Sequence, residues 1–196
     1  MKKFISGCIC LILATLFLAV IPTDAESALY DDTIRLHILA NSDSDEDQTL
    51  KIAVRDEVLK EFSDELKLIE SKEAAEKTLS SLLPEIEAFS EKIIKSKGYS
   101  YSVKVTISEE WYDTREYEDF TLPRGIYTSL RIIIGEGNGK NWWCVMFPPL
   151  CLDIATENAP PDDAIKKYSD EEISLISGGG YKIKFKLLEM ISDAFS

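Results

Sequence analysis

Few residues in this sequence are both chemically able and suitably spaced. His37 is the single histidine of the chain. It would have to serve any serine or cysteine nucleophile as base, yet neither Gly-x-Ser-x-Gly nor a local cysteine-protease signature accompanies it. Sharing a strand face with Arg35, it reads as a surface or interface histidine. Asp113-Thr114 lacks the glycine that follows the aspartate of an aspartic protease. Asp43, Asp45 and Asp47 open with the spacing of a calcium loop, but the sixth position is Gln48 and the twelfth is Val54. An acidic cap on a helix accounts for them better. With one histidine a four-ligand zinc site is also out of reach, so no metal is expected and the chain does not read as an enzyme.

Gly135-Glu136-Gly137-Asn138-Gly139 follows an apolar strand, where a phosphate-binding loop would sit. A dinucleotide fingerprint needs a helix to open next, and here Lys140-Asn141-Trp142-Trp143-Cys144-Val145 is strand-like. The glycines are therefore expected to shape a turn through positive φ, and no cofactor or small-molecule substrate is implied. Trp142-Trp143, together with Trp111, Tyr112, Tyr117 and Phe120, are either core or anchors for a partner protein, where tryptophan and tyrosine are over-represented. Cys144 and Cys151 are either a short-loop disulfide or two buried thiols.

The elements that must hold these residues follow from periodicity. Residues 34–40 alternate Ile34, Leu36 and Ile38 against Arg35 and His37, a half-buried strand. The polar run Asn41 to Asp47 then feeds a helix with Leu50, Val54, Val58 and Phe62 at four-residue spacing, ending near Phe62. A second helix is expected from about Ser71 to Lys97, kinked or restarted by Pro84. Alternation from Tyr99 to Ser108 gives the cleanest strand, and residues 109–125 are an irregular excursion or an edge strand. Tyr127 to Ile134, a link Gly135 to Asn141, and Trp142 to Phe147 look like a β-hairpin. Ala164 to Ile176 and Lys182 to Phe195 read as helices around Gly178-Gly179-Gly180. The order β-α-α-β-β-β with a helical C-terminal tail gives an α+β fold: a mainly antiparallel sheet with helices packed on one face.

The chain has 196 residues, 45% of them hydrophobic and 29% charged, and a formal net charge of -13. That composition builds a globular core, and its sign argues against nucleic acid or an anionic lipid surface as partner. Lys2-Lys3 precede an apolar run from Phe4 to Ile21. Residues 1–25 read as a signal peptide cut after Ala25, or as a signal anchor, so that the membrane is met only through this segment. A domain over 26–152 and an extension over 153–196 would follow.

Two stretches carry a family resemblance: IRLHILANSDSDEDQTLKIAVRD from Ile34 to Asp56, and LPRGIYTSLRIIIGEGNGKNWWCVMFPPLC from Leu122 to Cys151. Together they resemble stage II sporulation protein R of endospore-forming Firmicutes, over roughly residues 30–152. The resemblance implies a signalling protein secreted across the forespore membrane into the space between the sporulating compartments. There it would meet the extracytoplasmic face of a membrane-embedded aspartic protease and activate it, leading to processing of the sigma E precursor in the mother cell. An exported envelope or coat-associated structural protein is the alternative, with an unrecognised hydrolase third. If the fold brings the two stretches to one end of the sheet, Arg35, His37, Asn41, Ser42, Asp43, Arg131, Lys140, Asn141, Trp142 and Trp143 form a joint partner-binding surface. The opposing reading makes the tryptophans core and Asn41 to Asp43 a helix cap.

Overall fold

The computed structural model describes residues 22–117, 120–150 and 162–177, with the short stretches 4–7, 9–10 and 13–14. Most of the apolar leader, Cys151, the extension up to residue 161 and the helix expected over Lys182–Phe195 lie outside the described residues. Among the described residues no helix is long and apolar enough to cross a membrane.

Helix α1 (Asp24–Asp32) starts at a capping box: the Thr23 hydroxyl accepts from Glu26 N, and Glu26 accepts from Thr23 N. Strand β1 (Ile34–Leu39) follows, then α2 (Asp45–Lys67) behind the N-cap Ser44, with Asp45, Glu46 and Asp47 against the positive end of its dipole. Leu66 continues the buried row of Leu50, Val54, Val58 and Phe62, so this helix runs past Phe62 to Lys67. Helix α3 (Lys72–Ser96) is capped by Ser71 and continues through Pro84 without restarting. Strand β2 (Val103–Tyr112) begins after Tyr99 and Tyr101 and, as an edge strand, runs into the region expected to be either irregular or an edge strand. A two-residue ladder, β3 (Arg115–Glu116) with β4 (Thr121–Leu122), precedes β5 (Gly125–Ile134) and β6 (Asn141–Phe147). The short helices α4 (Asp162–Ile165) and α5 (Asp170–Ile176) close the described chain.

The sheet is mixed, in the order β2-β5-β1-β6. β5 runs parallel to β1, whereas β2 on β5 and β6 on β1 are antiparallel. The expected β5–β6 hairpin does not form, because β1 lies between the two strands. The reason is burial: Ile34 through Ile38 are buried on both sides of the sheet, so β1 is not half-buried and takes a central position with a ladder on each edge. Residues 135–140 cross the end of β1, a step of roughly 10 Å from strand spacing. The crossing is tied down by Gly139 N to Ala40 O at 3.0 Å and Asn138 N to Asn41 O at 3.2 Å.

Alternation gives the sheet two different faces. Ile34, Leu36 and Ile38, with Leu130 and Ile132 of β5, join the core with α2 and α3. Arg35 and His37 point the other way. That second face is met by α1, through an edge-on contact of Tyr30 with Tyr127, and by the β3–β4 excursion.

Candidate functional site

Register places Arg35 beside Ser129 and Val145, and His37 beside Arg131 and Trp143, on the second face of the sheet. Small Ser108 and Ser129 are cross-strand partners there, which leaves room for long side chains to lie across them. The expected exposure of this strip is corrected by the structure, since Arg35 is 0% and His37 5% exposed.

Arg35 is held without an ion pair among the described residues. Its Nε donates to the Cys144 carbonyl at 3.2 Å and its Nη2 to the Tyr117 hydroxyl at 2.7 Å. The guanidinium carbon stands 4.3 Å from the Tyr112 ring centre, 5.1 Å from that of Tyr127 and 5.9 Å from that of Tyr117. A guanidinium is weakly hydrated and planar, so three ring faces and two directed bonds can replace water around it where an ammonium would be left wanting. Burial in turn pushes the Tyr112, Tyr117 and Tyr127 phenols above their ordinary range, so they act as neutral groups.

His37 Nδ1 lies 3.0 and 2.9 Å from the two oxygens of Glu110. Its ring stacks on Trp143 at 5.5 Å, and Arg115 of β3 covers that indole at 3.8 Å. Glu110 also accepts from Tyr112 at 3.1 Å and faces Arg131 Nε at 3.4 Å. Burial would raise the Glu110 carboxyl, but the hydrogen bond and charge of His37, with Arg131 and Tyr112, outweigh it and hold the group below the usual carboxylate range. A histidine oriented by a carboxylate is half of an acid–base pair. Here, however, the other ring nitrogen, Nε2, is buried and meets no hydroxyl or thiol among the described residues. The strip therefore fastens β2 and the excursion to β1.

The second cluster sits where the link passes over the end of β1. Asn41 accepts from Glu136 N at 3.1 Å and donates to Asp47 at 2.8 Å, while the Ser42 hydroxyl donates to Asp47 at 2.5 Å. Asp43 accepts from Lys140 N at 2.6 Å, and Lys51 Nζ donates to the Lys140 carbonyl at 2.8 Å. Burial tends to raise Asp47, yet the Ser42, Asn41 and Tyr101 donors bring it below its ordinary value; burial lowers Lys51. Gly135 and Gly137 have φ of 58° and 64°. Gly139 is required for close approach instead, because a Cβ there would fall on the Ser42 carbonyl.

Asn41, Ser42, Asp43 and Lys140 are thus brought together at one end of the sheet, chiefly by bonding to each other's segments. The two tryptophans are separated. Trp143 stacks on His37 on the second face, whereas Trp142 pairs with Ile38 on the helix face, under Arg55 at 4.8 Å. Lys140 and Asn141 remain exposed. Cys144 is fully buried and disulfide-bonded, and Cys151 lies outside the described residues. No group of three or more His, Cys, Asp or Glu side chains suited to a metal occurs among the described residues. Sequence reasoning did not reach Glu110, Ser129 or Arg115. Ser108, Glu110 and Tyr112 do continue the two-residue period of β2, and that signal could have found them.

These observations describe an α+β scaffold with a mixed sheet, one face apolar and the other carrying a buried strip of charged and aromatic groups. The profile of the family described as Stage II sporulation protein R matches residues 30–157, from just before β1 to beyond β6. The chain belongs to the stage II sporulation protein R family. It is 38% identical over 185 residues to the Stage II sporulation protein R of Bacillus subtilis (strain 168), covering 85% of this chain and 83% of that protein. No solved structure matches it.

Proposed function

We propose that this chain is an exported signal of sporulation that activates a membrane-embedded aspartic protease from its extracytoplasmic side, leading to processing of the sigma E precursor in the mother cell. The observation that carries this reading is family membership across residues 30–157. Lys2-Lys3 and the apolar run from Phe4 to Ile21 supply the means of export. A disulfide at Cys144 belongs in an oxidising compartment outside the cytoplasm. The buried strip and the clasp at the end of β1 give a rigid frame, which suits a protein that works by presenting a surface.

The test is co-expression of the full chain with the protease and its precursor substrate in a non-sporulating host. The shortened sigma factor should form only when all three are present and the leader is intact. Processing that is equal without this chain would refute the reading.

A further inference from the structure

We propose that the outer half of β2, from Ile107 to Trp111, with Ile126 beside it, is the docking edge for an extended apolar segment of a partner protein flanked by basic side chains. The identity of that partner as the protease rests on the function proposed above.

β2 ends the sheet order, so among the described residues one side of its backbone has no strand neighbour. Val105 N donates to Glu87 at 3.0 Å, and the Glu91 carboxylate, one turn further along α3, faces the Val103 N–H. In an antiparallel ladder the groups facing away from the partner strand recur at every second residue. Those bonds therefore fix the outward groups as Val103, Val105, Ile107, Glu109 and Trp111. Carboxylates of α3 close the first two positions, a usual way of blunting an edge. Among the described residues nothing hydrogen-bonds the outward N–H groups of Ile107, Glu109 and Trp111.

The side chains change character at the same place. Trp111 is 61% exposed and Ile126 54% exposed, and the two are direct cross-strand partners. At that spacing, about 5 Å between Cβ atoms, they form one apolar patch at the open end of the edge. Glu109 and Asp113, both exposed, stand two residues to either side of Trp111; Arg124, also exposed, precedes Ile126 by two. Negative charge is in excess around the indole, within a chain of net charge -13. A strand added here would satisfy the free amides, cover Trp111 and Ile126 with alternate apolar side chains, and match the acids with lysine or arginine.

The probe is a blocked seven-residue peptide alternating valine with lysine, titrated into the full chain. Saturable, salt-sensitive binding is expected. It should weaken about tenfold or more with Trp111→Ser or Ile126→Ser, with glutamate replacing lysine in the peptide, or with N-methylation of the edge-facing amides. Both positions are exposed, so the melting temperature should not move. No saturation up to about 1 mM peptide, or binding indifferent to both substitutions, would overturn the docking edge. In the co-expression assay, Trp111→Ser with unchanged export and folding should abolish precursor processing. Full processing by that variant would overturn the protease as the edge's partner while leaving the proposed function standing; failure of the unsubstituted chain would refute the function, and the peptide titration would still decide the edge.

Discussion

Arg35 offers a demanding check on the packing argument, because it is a buried cation with no ion pair among the described residues. Replacing it with methionine removes the desolvated charge but leaves the Tyr117 hydroxyl and the Cys144 carbonyl without their donor. Orphaned buried groups cost about 1 to 3 kcal/mol each, and a desolvated cation–π contact contributes about 2 kcal/mol. Relief of the guanidinium's burial cost offsets part of that loss. The expected net for Arg35→Met is a destabilisation of about 2 kcal/mol. Arg35→Lys should be worse, at about 4 kcal/mol, since the strongly hydrated ammonium stays buried and cannot reach both acceptors from the plane between the tyrosine rings. For a domain of this size these values correspond to melting points lower by about 4–8 °C and 8–16 °C. Urea unfolding of the oxidised protein, followed by near-ultraviolet circular dichroism of the tyrosines, measures both. Lysine as stable as arginine would refute the claim that planar geometry holds the strip together. A methionine variant more stable than the native chain would show that the charge costs more than its cage returns.

Glu110 provides a pH test. Its folded-state pKa is lowered, so its stabilisation is complete above the unfolded carboxyl value and is lost as pH falls through the folded one. Glu110→Gln should therefore melt well below the native chain at neutral pH, with the gap closing as the pH falls below the ordinary carboxylate range; a gap independent of pH would contradict the assignment. Gly139→Ala should destabilise by more than about 2 kcal/mol, because the Ser42 backbone must move. Gly98→Ala, at φ 88° with open space around it, should cost only about 1 kcal/mol in thermal melts. Thr23→Ala should lose about 1 kcal/mol through the α1 cap. Cleavage after Ala25 would remove the same cap, so intact mass and melting temperature of the exported form should agree on whether Thr23 is kept.

Helices α2 and α3 were legible because each declares itself locally, with Ser44 and Ser71 as caps and apolar residues at four-residue spacing, whereas α1 was not anticipated and the single helix expected over Ala164–Ile176 forms instead as the two short helices α4 and α5. The strands were legible as segments, but their order was not. Alternation in β1 marks Arg35 and His37 as the polar side, and only a partner fifty or more residues away decides whether that side meets water. Tyr112, Tyr117, Tyr127 and Glu110 settle it for burial. The same non-local choice inserted β1 between β5 and β6, which a reading of neighbouring segments turns into a hairpin. Of the residues expected to share one end of the sheet with Asn41 to Asp43, Lys140 is joined there through its N–H to Asp43. The separation of Trp142 from Trp143 was missed, although adjacent residues in a strand must face opposite ways.

Whether this chain acts on the protease from outside the membrane, as proposed above, is decided with vesicles of defined orientation. The protease is reconstituted with its extracytoplasmic side outward and the precursor enclosed, and the purified oxidised chain is added to the outside. Accumulation of the shortened sigma factor inside is expected, dependent on the added chain and abolished by Trp111→Ser. An unchanged precursor in the presence of folded chain and catalytically competent protease would contradict it.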